Sequence, residues 1–228
     1  MPNPELARAP RRFTGLPSEV RRRQRRELLV EAASGLLGAA RPEGLTVRAV
    51  LERARLHPRY LYESFADLDE LAVAAYDRAL EQLSAAVCDA LAAAGPDPAD
   101  QVGAVVRSTV TFVARDPIRG RLLYAPLGIP ALERRRAETT SAVVAAATHY
   151  GAARQGGGPD PVGWAATSML VGGVGQLLAD WLAGRVPLRP DQLAEEAADL
   201  VLAVADRAAA RTARRPGGAG EPLGRPAV

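Results

Sequence analysis

Lysine is absent from the 228 residues, and all 29 basic side chains are arginine. Asparagine occurs once, at Asn3, and cysteine once, at Cys88. One cysteine excludes an intrachain disulfide, so nothing requires an oxidising compartment, and its Ala/Val/Leu surroundings suggest a small buried side chain. Aromatic residues make up only 4% of the chain. With β-branched residues also sparse, a β-sandwich or barrel is excluded. The two histidines, His57 and His149, fall in no metal-ligand spacing, and no HExxH, paired-cysteine or GxSxG element occurs. Neither a metal, a cofactor nor an enzyme is expected. The longest apolar stretch, Met169 to Leu182, is shorter than a bilayer span and carries Gln176 and Asp180. Arg11-Arg12-Phe13 lacks the apolar core that would follow in an export signal. The expectation is a soluble cytoplasmic protein with no membrane partner.

What is abundant is alanine, at 46 positions, in a chain 48% hydrophobic and 24% charged. That composition favours helix and supplies enough apolar surface for a globular core. The fold class expected is all-α.

The net charge of +3 hides an asymmetry. Residues 1–65 hold 13 Arg and 7 acids, for +6; residues 66–211 hold 13 Arg and 18 acids, for −5; residues 212–228 add +2. A basic N-terminal third beside an acidic remainder suggests an anionic partner at the N-terminus. Charge alone is equally compatible with solvated ends.

Punctuation by proline and capping residues divides the chain. Residues 1–18 carry four prolines and read as a flexible arm. A first helix is expected over Glu19 to Ala40, with Leu29, Ala32, Ala33, Leu36, Leu37 and Ala40 on one face. Its first turns carry Arg21, Arg22, Arg23, Arg25 and Arg26, which oppose the helix dipole and would be relieved by an external anion. Thr46 suits the N-cap of a short helix, Val47 to Arg53. A turn at 54–56 leads to a second short helix opening at His57-Pro58 and ending near Ser64-Phe65. Asp67 and Glu70 have capping-box spacing before a long helix to about Ala94. Asp97-Pro98, Asp116-Pro117 and Asp160-Pro161 mark three further starts, and others fall near Pro130 and Pro190. About nine helices result, with residues 212–228 a disordered tail.

Two short helices and a tight turn within Thr46 to Phe65 form a helix-turn-helix pattern. The second helix would enter a DNA major groove with His57, Arg59, Tyr60 and Tyr62 as its polar tips. Leu61 and Phe65, at i and i+4, would pin it to the core. An ordinary core hairpin would not need Arg55, Arg59, Tyr60 and Tyr62 so close together, and the +6 segment supplies the charge that phosphates demand.

At Leu45-Thr46-Val47-Arg48-Ala49-Val50, Ala54 to Leu56, Leu61-Tyr62, Phe65 and Leu71, the chain resembles the TetR family of bacterial transcriptional regulators. The motif match covers about residues 20–75; beyond it, only helix lengths and order are similar. The resemblance implies a homodimer on double-stranded DNA. A three-helix DNA-binding domain (19–66) would precede a larger helical ligand-binding and dimerisation domain (67–211). By position, Thr46 and Tyr62 would contact phosphates, Arg48 likewise, and Arg59 and Tyr60 would sit where the family reads bases. Three residues depart from its pattern. Arg55 replaces the turn glycine, His57 replaces the Ser or Thr cap, and Leu68 replaces a lysine. The last change would leave the bare helix N-terminus to hold the anion, with Arg22 and Arg25 as compensating contacts.

In the second domain, three glycines at 172, 173 and 175 each cost roughly 1 kcal/mol in a helix relative to alanine. Close helix packing is the favoured reading. The dimer interface expected comprises Gly172, Gly173, Trp181, Leu193, Ala197, Leu200, Val201 and Val204. Candidates for an effector pocket are Phe112, Tyr124, Trp164, Met169 and Gln176, and the scarcity of inward charge favours a largely apolar effector. His149 suits a surface or helix-terminal position. The function expected is a ligand-responsive repressor binding a palindromic operator. The alternatives are an activator of the same fold, or a helical ligand-binding or enzymatic bundle whose basic N-terminus is incidental.

Overall fold

A computed structural model describes residues 18–39, 44–154, 158 and 161–213. Among them are nine helices and no strand: α1 (Ser18–Leu37), α2 (Val47–Ala54), α3 (Pro58–Tyr62), α4 (Leu68–Ala93), α5 (Pro98–Arg115), α6 (Pro117–Tyr124), α7 (Pro130–Arg154), α8 (Pro161–Leu182) and α9 (Pro190–Ala213). The expected arm lies outside the described residues except for Ser18, as does the expected tail from residue 214. Ala40, Pro42 and Asp160 also lie outside them.

Helix starts follow the capping chemistry. Asp97 Oδ1 accepts from the Ala99 amide at 2.8 Å, and Asp116 Oδ1 accepts from the Arg119 amide at 3.0 Å. Each aspartate satisfies an amide that the first turn leaves without a partner, and the following proline needs none.

Buried side chains form two clusters. The first joins Leu29, Ala33 and Leu37 of α1 to Val50 of α2, Leu61 of α3, Leu71 and Ala75 of α4, Leu122 of α6 and Leu132 of α7. The second joins Val106, Val110 and Val113 of α5 to Leu178 of α8 and to Leu193 and Ala197 of α9. Burying each such leucine contributes about 2 kcal/mol, so α1–α3 are anchored on the longer helices behind them. Phe112 and Tyr124 pack against both clusters.

A tight crossing links α1 to α6. A Cβ on Gly38 would lie 2.2 Å from the Ile118 carbonyl oxygen, so only glycine permits this approach. Arg121 Nε donates to the Gly38 carbonyl at 2.6 Å, and Arg119 Nη2 donates to Glu31 at 3.3 Å.

Several expectations are corrected. Cys88 is exposed, because it faces away from the Leu83 and Ala79 side of α4. The apolar stretch of α8 extends back to Pro161, and this 22-residue helix is long and apolar enough to cross a membrane by length and composition. Within this chain it packs against α6, α7 and α9, with Leu178 and Ala179 buried. Leu193 and Ala197 are spent on the second cluster of their own chain, so neither is available to a second copy. Trp181 and Val201 also pack there, and Trp181 Nε1 donates to the Leu188 carbonyl at 2.9 Å. Gly172, Gly173, Leu200 and Val204 are exposed, and the two glycines face open space within this chain rather than a packed helix.

Candidate nucleic-acid interface

The helix-turn-helix is assembled by three local devices. Thr46 Oγ1 accepts from the Ala49 amide at 3.2 Å and starts α2. Arg55 ends it with φ 55° and ψ 44°, a left-handed conformation, and its amide donates to the Leu51 carbonyl. A glycine would adopt this conformation freely; arginine does so against its Cβ. His57 then caps α3 through Nδ1, which accepts from the Arg59 amide at 3.3 Å. The imidazole thus performs the task of the Ser or Thr it replaces, provided Nδ1 carries no proton.

Leu61 and Phe65 are 0% and 2% exposed and fix α3 against the first cluster. This orientation leaves His57, Arg59 and Tyr62 in solvent, with Tyr62 63% exposed. Tyr60 is half-buried because α1 covers it. The Arg25 and Arg59 guanidinium carbons lie over its ring at 4.3 and 4.8 Å from the centroid. One turn along, Arg26 lies over the Phe65 ring at 4.4 Å. These stacks fix cationic side chains of α1 along the edge of α3. Nothing in the periodicity pointed to them, although the Arg25-Arg26 and Tyr60/Phe65 pairs were the available signal. Arg22, Arg23 and Arg26 line a cleft with Glu63 and Ser64.

Two candidate contacts are already engaged by acids on their own helices. Arg48 Nε donates to Glu52 at 2.7 Å, and Arg59 lies 3.5 Å from Glu63. All four side chains are exposed, so a phosphate or base edge would compete with solvent-screened partners.

The start of α4 differs from the expectation. Asp67 Oδ1 accepts from the Glu70 amide at 2.8 Å, and Glu70 Oε2 accepts from the Ala66 amide at 2.7 Å. With Asp69 in the same turn, the chain supplies its own anions at this helix N-terminus. Leu68 turns its side chain toward the first cluster. The bare N-terminus expected to hold a phosphate is therefore occupied.

The five residues expected to line a pocket do not converge. Trp164, Met169 and Gln176 are exposed on α8, where Gln176 Nε2 donates to Asp180 at 2.9 Å. Phe112 and Tyr124 are half-buried against the two clusters, and desolvation raises the pKa of the Tyr124 phenol. A Cβ on Gly175 would sit 3.8 Å from the Tyr124 ring, so that glycine borders Tyr124. His149 is exposed near the end of α7.

The arrangement has clear relatives in shape. A TetR-like transcriptional regulator from Rhodococcus sp. RHA1 superposes with a TM-score of 0.61 over 86% of this chain and 99% of its own, at 19% identity. The chain has the TetR-like fold. A protein from Syntrophomonas wolfei assigned to the TetR family gives a TM-score of 0.68 at 11% identity, over 81% of this chain and 96% of its own. The multidrug binding protein EbrR, in complex with imidazole, gives 0.57 at 25% identity, over 77% and 94%. No protein-family model and no curated protein matches the chain. In this fold α2 and α3 are the two short helices on either side of the Arg55 turn.

Proposed function

We propose that this chain is a TetR-family DNA-binding transcriptional regulator, acting as a repressor that binds a palindromic operator as a homodimer. The observation that carries the reading is α3 itself. A five-residue helix, capped by His57 and pinned by Leu61 and Phe65, holds out Arg59 and Tyr62, with Tyr60 half-buried beneath the Arg25 stack from α1. Side chains of this kind at the N-terminal part of a recognition helix meet base edges, and the arginine row supplies phosphate contacts. Thr46, Arg48, Arg22 and Arg25 are the positioning contacts in this account.

Residues 19–66 act as the DNA-binding domain and 67–211 as the ligand and dimer domain. Leu200 and Val204 of α9, with Gly172, Gly173 and Met169 of α8, offer the exposed apolar surface for a second copy. A small-molecule effector bound in the larger domain would favour a state with altered separation of the two α3 helices, which must lie about 34–36 Å apart on B-DNA. That the structurally similar EbrR is described as a multidrug binding protein supports small-molecule binding in this reading. In the cell such a protein works in the cytoplasm.

The test is binding to the intergenic DNA upstream of the chain's own coding sequence at several salt concentrations. Each neutralised phosphate contributes about −0.9 to the log–log slope. Selective, steeply salt-dependent binding is expected, whereas no selectivity at low salt would overturn the reading.

A further inference from the structure

We infer that a groove along the outer side of α4 and α5 binds an amphipathic molecule with an anionic head and an apolar tail. The inference rests on the ligand-responsive reading above but concerns a different surface from the α8 residues first expected. The groove has a volume of about 860 Å³ and runs from the α4–α5 turn to the start of α6. Ser108 Oγ donates to the Ala86 carbonyl at 3.0 Å and ties the two helices together beneath it.

The middle of one wall is apolar because α4 lines it with Ala86, Ala90 and Ala93, alongside Gln82 and Asp89. Ala104 and Phe112 continue that surface on α5. Alanines at this spacing leave room where larger side chains would close the gap between the helices. Such a trough suits an alkyl chain.

The two ends differ in charge. At the α6 end, Arg115 and Arg119 line the groove beside Thr111, and Arg119 is paired with Asp116 and with Glu31 of α1. Gln82 Oε1 is buried near this end without a hydrogen-bond partner. Arg115 is exposed and, among the described residues, has no acidic partner within 4 Å. At the other end, Asp89 and Asp100 flank the mouth. Arg107 folds back toward them, its Nη1 lying 2.7 Å from where a Gly103 Cβ would be. An anionic head is repelled from the aspartate end and attracted to the arginine end, so the charges set one direction of binding.

Occupancy has a route to the DNA-binding helices. Arg119 is shared between Asp116 and Glu31 of α1. A carboxylate seated beside Arg115 and Arg119 competes with Glu31 for the same guanidinium. It thereby loosens the Arg119–Glu31 tie between α6 and α1, leaving the Arg121 bond to the Gly38 carbonyl just past the end of α1.

Calorimetric titration of the full chain with decanoate, below its micellar concentration and without DNA, tests the site. Decyltrimethylammonium and acetate serve as comparators. Decanoate is expected to bind saturably, at least tenfold more tightly than either comparator. Arg115→Gln with Arg119→Gln should weaken it at least tenfold. Ala90→Trp, which fills the trough, should abolish it while circular dichroism shows an intact fold. Absence of decanoate binding overturns the proposal, as does equal affinity in Ala90→Trp or equal binding of the cationic comparator. DNA binding does not enter this readout, so its failure and that of the regulator reading are separately visible.

Discussion

The Arg25 guanidinium lies over the Tyr60 ring, 4.3 Å from its centroid, and joins the basic start of α1 to α3. A cation over an aromatic face at partial exposure is worth about 0.5–1 kcal/mol. Urea unfolding of Arg25→Ala, Tyr60→Ala and the double variant should show a coupling of that size. Additive effects, within about 0.3 kcal/mol, would mean that the stack does not hold the helix.

Arg55 occupies the left-handed region at φ 55°. Arg55→Gly removes the Cβ conflict but adds chain entropy in the unfolded state, for a net gain of about 0.5–1 kcal/mol. A higher thermal midpoint checks this. A lower one would contradict the geometry of the turn.

Leu68→Lys places a cation beside a helix start now ringed by Asp67, Asp69 and Glu70. The lysine stem can keep the apolar contact while its ammonium reaches solvent. DNA affinity at low salt should rise, and the log–log salt slope should steepen by about 0.9. An unchanged slope would show that this position lies away from the phosphates.

Asp180 accepts from Arg185 and from Gln176. These bonds to the charged form, that from Arg185 first, hold its carboxyl below the ordinary value of 3.8. A group depressed on folding stabilises the protein above its unfolded pKa and loses that contribution as pH falls through the folded value. Asp180→Asn should therefore lower stability at neutral pH and flatten its decline below about pH 4. An identical acid limb in the variant would contradict the assignment.

The element order was legible because this chain marks its helix starts chemically. Asp97-Pro98 and Asp116-Pro117 are caps whose meaning is local, and Thr46 and Asp67 act in the same way. Leu61 and Phe65 were legible for another reason: a short helix with one apolar pair has one face to bury. Periodicity says which face of a helix is apolar but not which neighbour covers it. Leu193 and Ala197 therefore looked like interface residues, yet they meet α5 of their own chain. Trp164 and Met169 looked like pocket residues and are exposed. The contact of Gly38 with Ile118 and the Arg119–Glu31 pair join segments 80 or more residues apart, and no local pattern encodes such pairing.

The central claim is that α3 reads DNA sequence. The most direct measurement is selection of duplexes from a randomised library by the full chain at low salt, repeated with Arg59→Ala. The account predicts enrichment of a palindrome whose half-site centres are about one helical turn apart, with relaxed preference at particular positions in the variant. No enriched sequence with the unaltered chain, or an identical motif from Arg59→Ala, would contradict it.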